Sequence, residues 1–146
     1  MGLRPSTDGD HAAIRALLQD SGLPVADLDT VAVDFVVVFD GAGLAGIVGV
    51  ERFDDVGLLR SLAVCAEQRG HGIGEQLLAA AEAGARASGV RQLVLLTQTA
   101  APFFARRGYD VLAREAAPAG VQSSAEFRSL CPASATCMAK SMEFPS

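Results

Sequence analysis

Lysine, tryptophan and tyrosine are nearly missing from this sequence of 146 residues, which has no Trp and a single Tyr, and whose one Lys is Lys140. The formal net charge is -5, and the arginines are scattered along the chain. Because proteins neutralise nucleic-acid phosphates with clustered Lys and Arg, this composition argues against nucleic acid as a partner. An anionic ligand must instead be held by local geometry. The core must be built mainly from Val, Leu, Ile and Ala.

Long apolar runs are also missing. No stretch reaches the roughly 18 residues that a membrane-spanning helix requires, so we expect no membrane partner. The first residues, Met1–Ser6, lack the apolar segment of a signal peptide. Three cysteines, an odd number, do not make the disulfide framework of a secreted protein. We therefore expect a cytoplasmic protein with a single domain over residues 1–146, a length that suits one domain.

The order of the predicted elements indicates an α/β fold with a mixed central sheet. A helix over 8–21 precedes three closely spaced strands, which favour antiparallel pairing because parallel pairs need long crossovers. A helix over 72–88 then separates the third strand from the fourth, which is long enough for a right-handed parallel crossover. The predicted strands cover residues 35–39, 44–52, 56–64, 92–97, 109–114 and 134–140, and short helices are expected at 25–30 and 100–107.

Three glycines at alternate positions, Gly70, Gly72 and Gly74, lie between a predicted strand and a predicted helix. Glycine lets the backbone approach a ligand closely, and a helix N-terminus offers unpaired N–H groups and partial positive charge. The segment is therefore typical of a site for an anion such as pyrophosphate. A dinucleotide fold would need its third glycine at Glu75, and a P-loop would need a lysine that this segment lacks.

The same segment resembles the signature of the GNAT superfamily of N-acetyltransferases, through Arg69-x-x-Gly72-x-Gly74. The resemblance implies a GNAT fold with acetyl-CoA as cosubstrate and no metal. It also places the pantetheine arm of acetyl-CoA beside Leu62-Ala63-Val64, at the end of the preceding strand. The residues that it assigns to acetyl-CoA are Leu62, Ala63, Val64, Arg69, Gly70, His71, Gly72, Ile73, Gly74 and Phe104.

Two groups within this superfamily are the most similar. The pairing of Arg60–Val64 with Leu96-Thr97-Gln98-Thr99-Ala100 resembles the acetyltransferase domain of N-acetylglutamate synthase. The ending, Ala125–Ala135, is similar to small acetyltransferases found with arsenic-resistance genes. The resemblance implies that the acceptor is the primary amine of a small amino-acid-like molecule, with a link to arsenic resistance. It also allows a homodimer, since dimers formed at sheet edges are frequent in the family.

Acetyl transfer to an amine requires donors for the oxyanion and benefits from a proton for the leaving thiolate. The resemblance assigns the oxyanion to the backbone N–H of Leu62. Phe104 stands where many members have a Tyr and cannot donate a proton. That role would pass to water, to a hydroxyl such as that of Thr99, or to nothing. Tyr109 is a further substitute, although we expect it to pack in the sheet.

The amine must also lose a proton, and the candidates for this base are carboxylates near the third strand. Glu51 is the first candidate, and Asp54 and Asp55 in the adjacent turn come second. The alternative interpretation of each of them is a solvated carboxylate in a turn. Ordered water can also deprotonate the amine in this family, so activity does not depend on finding a base.

Residues of two segments are candidates for binding the acceptor. Arg60 and Ser61 lie in the strand expected to face acetyl-CoA, and Arg60 can hold a carboxylate with two parallel hydrogen bonds. The alternative is an outward Arg on the sheet surface. An insertion between the last two strands covers the acceptor site in this fold, which adds Phe127, Arg128 and Ser134.

Three cysteines allow a function without catalysis. Cys65 precedes the glycine segment, while Cys131 and Cys137 are five residues apart. Their presence in a relative of arsenic-associated proteins suggests a thiol-based arsenite binder, although small buried cysteines are common in cores. The spacing is not a C-x-x-C zinc pattern and no His completes a metal set, so no metal site is predicted. A second alternative, motivated by Phe104, is an acyl-CoA-binding sensor with little turnover.

Overall fold

The computed structural model describes residues 2–28, 32–131 and 134–142, except for the side chains of residues 129 and 130. Within these residues the centre is a mixed seven-stranded sheet, which confirms the predicted fold class. The strands are β1 (Leu3–Pro5), β2 (Val33–Asp40), β3 (Gly43–Phe53), β4 (Val56–Val64), β5 (Gln92–Thr97), β6 (Asp110–Val111) and β7 (Thr136–Ser141). Their order across the sheet is β1-β2-β3-β4-β5-β7-β6.

Neighbouring strands are antiparallel except at one junction in the middle of the sheet. The hairpins β2–β3 and β3–β4 form where the two-residue turns Gly41-Ala42 and Asp54-Asp55 join strands that contain several β-branched residues. β4 and β5 pair in parallel, because the helix between them returns the chain to the same end of the sheet. β7 lies between β5 and β6 and is antiparallel to both.

The described residues form four α-helices. α1 (His11–Asp20) follows a short 3-10 turn, where the Thr7 N–H donates to the Asp10 carboxylate over 2.8 Å. α2 (Ile73–Ala87) stops before Gly89, which adopts a φ of +86° that favours glycine. None of these helices is both long and apolar enough to cross a membrane. The two short ones are α3 (Ala101–Ala105) and α4 (Ala119–Gln122).

Apolar side chains on both faces of the sheet hold the helices in place. On one face, Leu77 of α2 belongs to the largest buried cluster together with Val48 of β3. On the other face, Leu18 of α1 packs in a second cluster with Ile47 of β3. Val121 of α4 packs in a third cluster. Side chains alternate between the two faces along a strand, so α1 and α4 cover neighbouring parts of the same face.

Three elements differ from the sequence prediction. β1 has only three residues, too few to show the periodicity from which a strand is predicted. The strand expected over 109–114 shortens to β6, since Tyr109 turns inward to donate a hydrogen bond to Glu82. Residues 26–28 form a turn rather than a helix, and the rest of the helix expected over 25–30 includes positions outside the described residues.

Candidate active site

The parallel pair in the middle of the sheet opens into a cleft. β4 and β5 are paired from Val56–Leu58 to Gln92–Val94. Beyond these residues the two strands line a cleft of ≈ 320 Å³, with Leu59–Leu62 on one side and Leu95–Thr97 on the other. The segment after α1, the start of α3 and the C-terminal segment contribute the remaining walls. The cleft is therefore built by strands that separate, and not by a loop placed over a flat sheet.

A β-bulge lies in the β4 wall of this cleft. On β3, the one residue between Ile47 and Gly49 faces two residues of β4, Ser61 and Leu62. Ser61 adopts a φ of +62°, a left-handed conformation that is uncommon for residues other than glycine. Such a bulge bends a strand and redirects the groups next to it. Leu62, the predicted oxyanion donor, lies in the bulge and lines the cleft; its role stays a prediction.

The glycine segment forms the turn that enters α2. Gly70 and Gly72 have φ values of +84° and +77°, which explains why glycine occupies both positions. A Cβ at either position would meet no atom within 4 Å, so the space beside the backbone is open to a ligand. The segment borders a hollow of ≈ 330 Å³, whose other walls include Phe103 and Arg107. An anion bound there would face the N-terminus of the 15-residue α2.

Side chains of the glycine segment hold it in shape. The Arg69 Nε–H donates to the Val64 carbonyl oxygen over 3.1 Å, which ties the segment to the end of β4. Ile73 is buried in the main core and fixes the first turn of α2. The His71 ring faces Gln68 at 3.4 Å on the exposed side. The imidazole is thus turned to a neighbouring side chain, which leaves the backbone of the segment as the part suited to a phosphate.

A buried charge cluster lies behind the β4 wall. Arg60 donates through Nη1 and Nη2 to both carboxylate oxygens of Asp27, each over 2.7 Å, and through Nη1 to Glu51 over 3.0 Å. Glu126 Oε2 lies 3.2 Å from the Arg60 Nε. All four residues are less than 8% exposed, with Arg60 and Glu126 at 3%. One guanidinium therefore faces three carboxylates that come from three distant parts of the chain.

The charges in this cluster shift one another's protonation. Burial raises the pKa of Glu126 to about 7, although the attraction of Arg60 opposes the rise. The hydrogen bonds from Arg60 lower the pKa of Asp27. Burial lowers the pKa of Arg60, but the hydrogen bond to Asp27 and the charge of Glu126 outweigh this and raise it. Glu126 is thus the member of the cluster whose charge changes near neutral pH.

Comparison with known families identifies the fold that carries these features. Residues 32–111, more than half of the chain, match the family model described as an acetyltransferase (GNAT) domain. The chain belongs to the GNAT family of acetyltransferases. It is accordingly an acyltransferase, with the sheet, the separated strands and the glycine segment in the expected order. The comparison with curated proteins found no match.

Solved structures support the same GNAT fold. The N-acetylglutamate synthase of Neisseria gonorrhoeae, complexed with coenzyme A and N-acetyl-glutamate, has a TM-score of 0.81 and 21% identity, covering 99% of this chain and 36% of that one. The protein Rv2747 of Mycobacterium tuberculosis, in complex with CoA and NLQ, has a TM-score of 0.79 and 21% identity, covering 97% and 99%. The ribosomal-protein-S18-alanine N-acetyltransferase of Escherichia coli has a TM-score of 0.74 and 14% identity, covering 99% and 96%.

The first of these structures is much longer than this chain. The GNAT domain described here spans about a third of the length of the N-acetylglutamate synthase chain. At identities of 14% to 21%, the likeness establishes the fold. It leaves the chemistry of the acceptor to be argued from the residues of the cleft.

The structure excludes the alternative interpretations of Arg60 and Glu51 as exposed surface residues. Arg60 is not an outward sheet residue, because its side chain is 0% exposed. Glu51 is not a solvated turn carboxylate either, since it is buried against Arg60. Asp54 and Asp55 are exposed in the turn before β4, outside the residues that line the cleft. Roles for Arg60 in acceptor binding and for Glu51 as base stay predictions. Arg60 would have to release Asp27 to hold an acceptor carboxylate with two hydrogen bonds, and Glu51 does not line the cleft.

Phe104 and Thr99 both line the cleft, and their roles near an acetyl group stay predictions. Phe104 is buried and stacks edge-on against Tyr109 with ring centroids 5.5 Å apart. Tyr109 donates its hydroxyl to Glu82 over 2.8 Å, and burial raises the pKa of that hydroxyl. Tyr109 is therefore held in the core as a structural hydrogen-bond donor. Thr99 remains the predicted hydroxyl for the leaving group.

The C-terminal segment enters the cleft through residues that sequence reasoning did not select. Phe127 packs in the cluster around α4, with the Arg114 guanidinium 5.4 Å from its ring centre. Arg128 and Ser134 are exposed. The cleft is lined by their neighbours, which are Glu126, Cys131 and Ala135. Contact of the three predicted residues with an acceptor stays a prediction that this arrangement does not favour.

The cysteines occupy three separate environments. Cys65 packs beside the main core, Cys137 is buried in the cluster around α4, and Cys131 lines the cleft. Among the residues that the structure describes, no group of three His, Cys, Asp or Glu side chains is arranged to hold a metal ion. This placement does not favour a three-thiol arsenite site.

Asp27 and Glu126 are the members of the charge cluster that the sequence does not reveal. Asp27 lies in a turn after α1 and Glu126 begins a helical turn near the C-terminus. Neither lies in a sequence pattern that predicts burial, and carboxylates are mostly found on the protein surface. The only available signal is Arg60 itself, because an arginine within an apolar strand must find carboxylate partners.

Proposed function

We propose that the protein is an acetyl-CoA-dependent N-acetyltransferase that modifies the primary amine of a small amino-acid-like molecule. The observation that supports this best is the placement of the glycine segment, at the start of α2, next to the cleft between β4 and β5. The first site suits a pyrophosphate and the second suits a thioester and an amine. The structural neighbours that hold CoA, among them the N-acetylglutamate synthase and Rv2747, support the same cosubstrate.

Three parts of the chain support acetyl-CoA as the cosubstrate. Gly70 and Gly72 leave open space where side chains would stand, so the pyrophosphate can reach the N–H groups at the start of α2. Ala63 and Val64 offer the end of β4 to the pantetheine arm. The acetyl group then lies in the cleft beside Leu62, whose N–H would stabilise the oxyanion. Acetyl-CoA supplies an activated thioester, and the protein supplies position and charge.

The amino-acid-like acceptor is supported by the N-acetyl-glutamate bound to the N-acetylglutamate synthase neighbour. The acceptor would enter between the C-terminal segment and β5, where Thr97 and Cys131 line the cleft. The link to arsenic resistance rests on the sequence similarity alone. An arsenic- or phosphorus-containing amino acid is therefore a candidate acceptor to be included in a panel.

Release of free CoA tests the proposal. The protein would be incubated with acetyl-CoA and a panel of amino acids, amino-acid antibiotics and simple primary amines. We expect a thiol signal with at least one acceptor, together with a product heavier by one acetyl group in the mass spectrum. The absence of free CoA across the whole panel would reject the small-amine function.

The second candidate is an acyl-CoA sensor with little turnover. Phe104, which lines the cleft and cannot protonate a thiolate, favours it. A sensor would be stabilised by acetyl-CoA in a thermal-shift measurement but would release no CoA with any amine. The enzyme would show both effects.

A further inference from the structure

The charge cluster contains more negative than positive charge. Asp27, Glu51 and Glu126 are all buried with one Arg60, and the four come from separate segments. Burying unbalanced charge is costly, because the interior cannot replace the hydration of an ion. A cluster built only for stability would match its charges. Protonation of Glu126, whose pKa is about 7, relieves part of this excess, and a positively charged ligand would balance the carboxylate once it is ionised.

The three carboxylates are not equivalent towards the cleft. Asp27 takes two hydrogen bonds from Arg60 and Glu51 takes one, and neither residue lines the cleft. Glu126 does line it. The Arg60 Nε lies 3.2 Å from Glu126, yet its direction does not meet the geometry of a hydrogen bond, so this atom has no hydrogen-bond partner. Of the three carboxylates, Glu126 is the one that a bound acceptor can touch.

A second buried polar group on the same wall also lacks a partner. The Ser61 hydroxyl, on a residue 7% exposed, makes no hydrogen bond, and Ser61 lines the cleft. Buried polar groups in native proteins are almost always hydrogen-bonded, so an orphan at a cleft wall indicates a ligand that completes it. The positive φ of Ser61 is part of the same arrangement, since the bulge carries this residue into the wall.

The charged and titratable groups that face Glu126 come from every element packed around it. Arg60 reaches it from β4, Glu51 acts from β3, and Asp27 acts from the turn after α1. Cys131, at the end of the same helical turn, hydrogen-bonds to the Glu126 carboxylate. Burial raises the pKa of the Cys131 thiol to about 12, so the thiol stays protonated. A second guanidinium, that of Arg114, lies nearby, where it donates to the Phe127 carbonyl oxygen over 2.9 Å and acts on Cys131. Of the groups that act most strongly on Glu126 itself, two carboxylates oppose one guanidinium.

We propose that Glu126 is the proton acceptor of the reaction, taking a proton from the ammonium group of the acceptor while the Ser61 hydroxyl accepts a hydrogen bond from the same nitrogen. This deepens the proposed N-acetyltransferase function and rests on it. The acceptor enters as an alkylammonium ion whose charge offsets the excess of the cluster. Arg60, with Asp27 and Glu51, is a positioning group that fixes where the Glu126 carboxylate points.

The proposed reaction conserves its protons and its electron pairs. One N–H bond of the ammonium breaks and its proton moves to Glu126, which leaves a neutral amine with a lone pair. That lone pair forms the new N–C bond at the acetyl carbonyl carbon, and the C–S bond breaks with its electron pair on sulfur. The second proton lost by nitrogen goes to the sulfur, giving free CoA and a neutral amide. Glu126 then returns its proton to solvent.

The titration of Glu126 suits this task. A base works best when its pKa lies near the working pH, and the pKa of Glu126 is about 7. We expect kcat/KM to rise with pH through about 7, because this carboxylate must be ionised to accept a proton. The acceptor must stay protonated to bind, which restricts it to amines that are ammonium ions at that pH.

The test compares Glu126→Gln with wild type, using Glu115→Gln as the matched control because Glu115 is exposed outside the cleft. We expect Glu126→Gln to lower kcat/KM by about 10²- to 10⁴-fold, the usual contribution of a positioned base. The rise near pH 7 should disappear, while the dissociation constant for acetyl-CoA stays within about twofold. The control should match wild type. Glu126→Gln with full activity and an unchanged pH profile would overturn the inference and leave the N-acetyltransferase function intact.

Thermal unfolding shows whether the variant is merely damaged. The folded pKa of Glu126 is raised from 4.5 to about 7, so folded wild type binds a proton between these values that the unfolded chain has lost. Wild type therefore loses stability as pH rises through this window. Glu126→Gln lacks this carboxyl group, so the Tm of wild type should fall relative to that of the variant between about pH 5 and about pH 8.5. A Tm difference between Glu126→Gln and wild type that is the same at both pH values would contradict the proposal. Wild type that releases no CoA with any amine would reject the proposed function itself.

Discussion

The glycine segment follows the end of β4 and the charge cluster lies at its middle, and the two handle charge in opposite ways. The glycine segment, Gln68–Gly74, is one continuous stretch that offers backbone N–H groups and open space to an anion. The charge cluster collects side chains from residues 27, 51, 60 and 126 and buries them beside the cleft. The first is local and works through the backbone, whereas the second depends on the whole fold.

This contrast predicts different responses to mutation and to pH. The backbone N–H groups of the glycine segment do not titrate, so binding of the pyrophosphate should vary little near neutral pH. The charge cluster contains a carboxylate with a pKa of about 7, so the acceptor side should be sensitive to pH. Damage to the segment should weaken binding of acetyl-CoA, while damage to the cluster should affect folding and turnover.

Arg60→Leu should give the largest effect, on stability. The substitution leaves three buried carboxylates without their positive partner, which costs about 3–5 kcal/mol for a buried pair that loses one member. Urea unfolding near pH 8 would measure the loss. Arg128→Leu is the control, since Arg128 is exposed and should change the free energy of unfolding by no more than about 0.5 kcal/mol. A loss below about 1 kcal/mol for Arg60→Leu would show that the cluster is not a unit.

Gly72→Ala should give a smaller effect, confined to acetyl-CoA. The φ of +77° at Gly72 costs a residue with a Cβ about 1–2 kcal/mol, and relaxing this strain moves the N–H groups that face the pyrophosphate. We expect about tenfold weaker binding of CoA by calorimetry. Gly84→Ala is the matched control, because Gly84 lies inside α2 with no atom within 4 Å of a new Cβ. It should stabilise α2 by about 0.5–1 kcal/mol and leave CoA binding unchanged; equal affinities in both variants would contradict a backbone-based site.

Tyr109→Phe should have the smallest effect on the reaction. It removes the hydrogen bond to Glu82, which Lys140 still contacts at 3.2 Å, so the loss of stability should be about 1.5 kcal/mol. The value of kcat should not change, because Tyr109 is packed in the core behind Phe104. A clear fall in kcat at saturating substrate would assign a proton-transfer role to Tyr109 and would extend the cleft beyond Phe104.

The same contrast explains what could be predicted from the sequence. The strand bounds Val56–Val64, the parallel step to β5 and the glycine segment follow from local patterns, namely β-branched runs, glycine spacing and helix stops. The structure reproduces each of them. The resemblance assigns the oxyanion to the N–H of Leu62, and the register between β3 and β4 shows that Leu62 lies in a bulge together with Ser61.

The remaining features depend on contacts between distant parts of the chain. Asp27 and Glu126 are 99 residues apart in the sequence. Both reach Arg60 only after α1 and the C-terminal segment have packed on one face of the sheet. The position of β7 between β5 and β6 has no local signal for the same reason. Short elements such as β1 and β6 depend on edge pairing, which overrides the weak preferences of two or three residues.

The bulge at Ser61 also sets the phase of β4. Before it, Leu58 faces α4 and Leu59 faces α2; after it, Ala63 faces α1 while Leu62 and Val64 face α2. Odd and even positions thus exchange faces at one extra residue. Because the bulge absorbs the extra residue, deleting Ser61 would leave Leu62, Ala63 and Val64 on the faces that they already occupy and would remove only the left-handed residue from the cleft wall. The bulge therefore lets the strand take one extra residue at the cleft wall and still present Arg60 to the buried cluster and Val64 to the phosphate site.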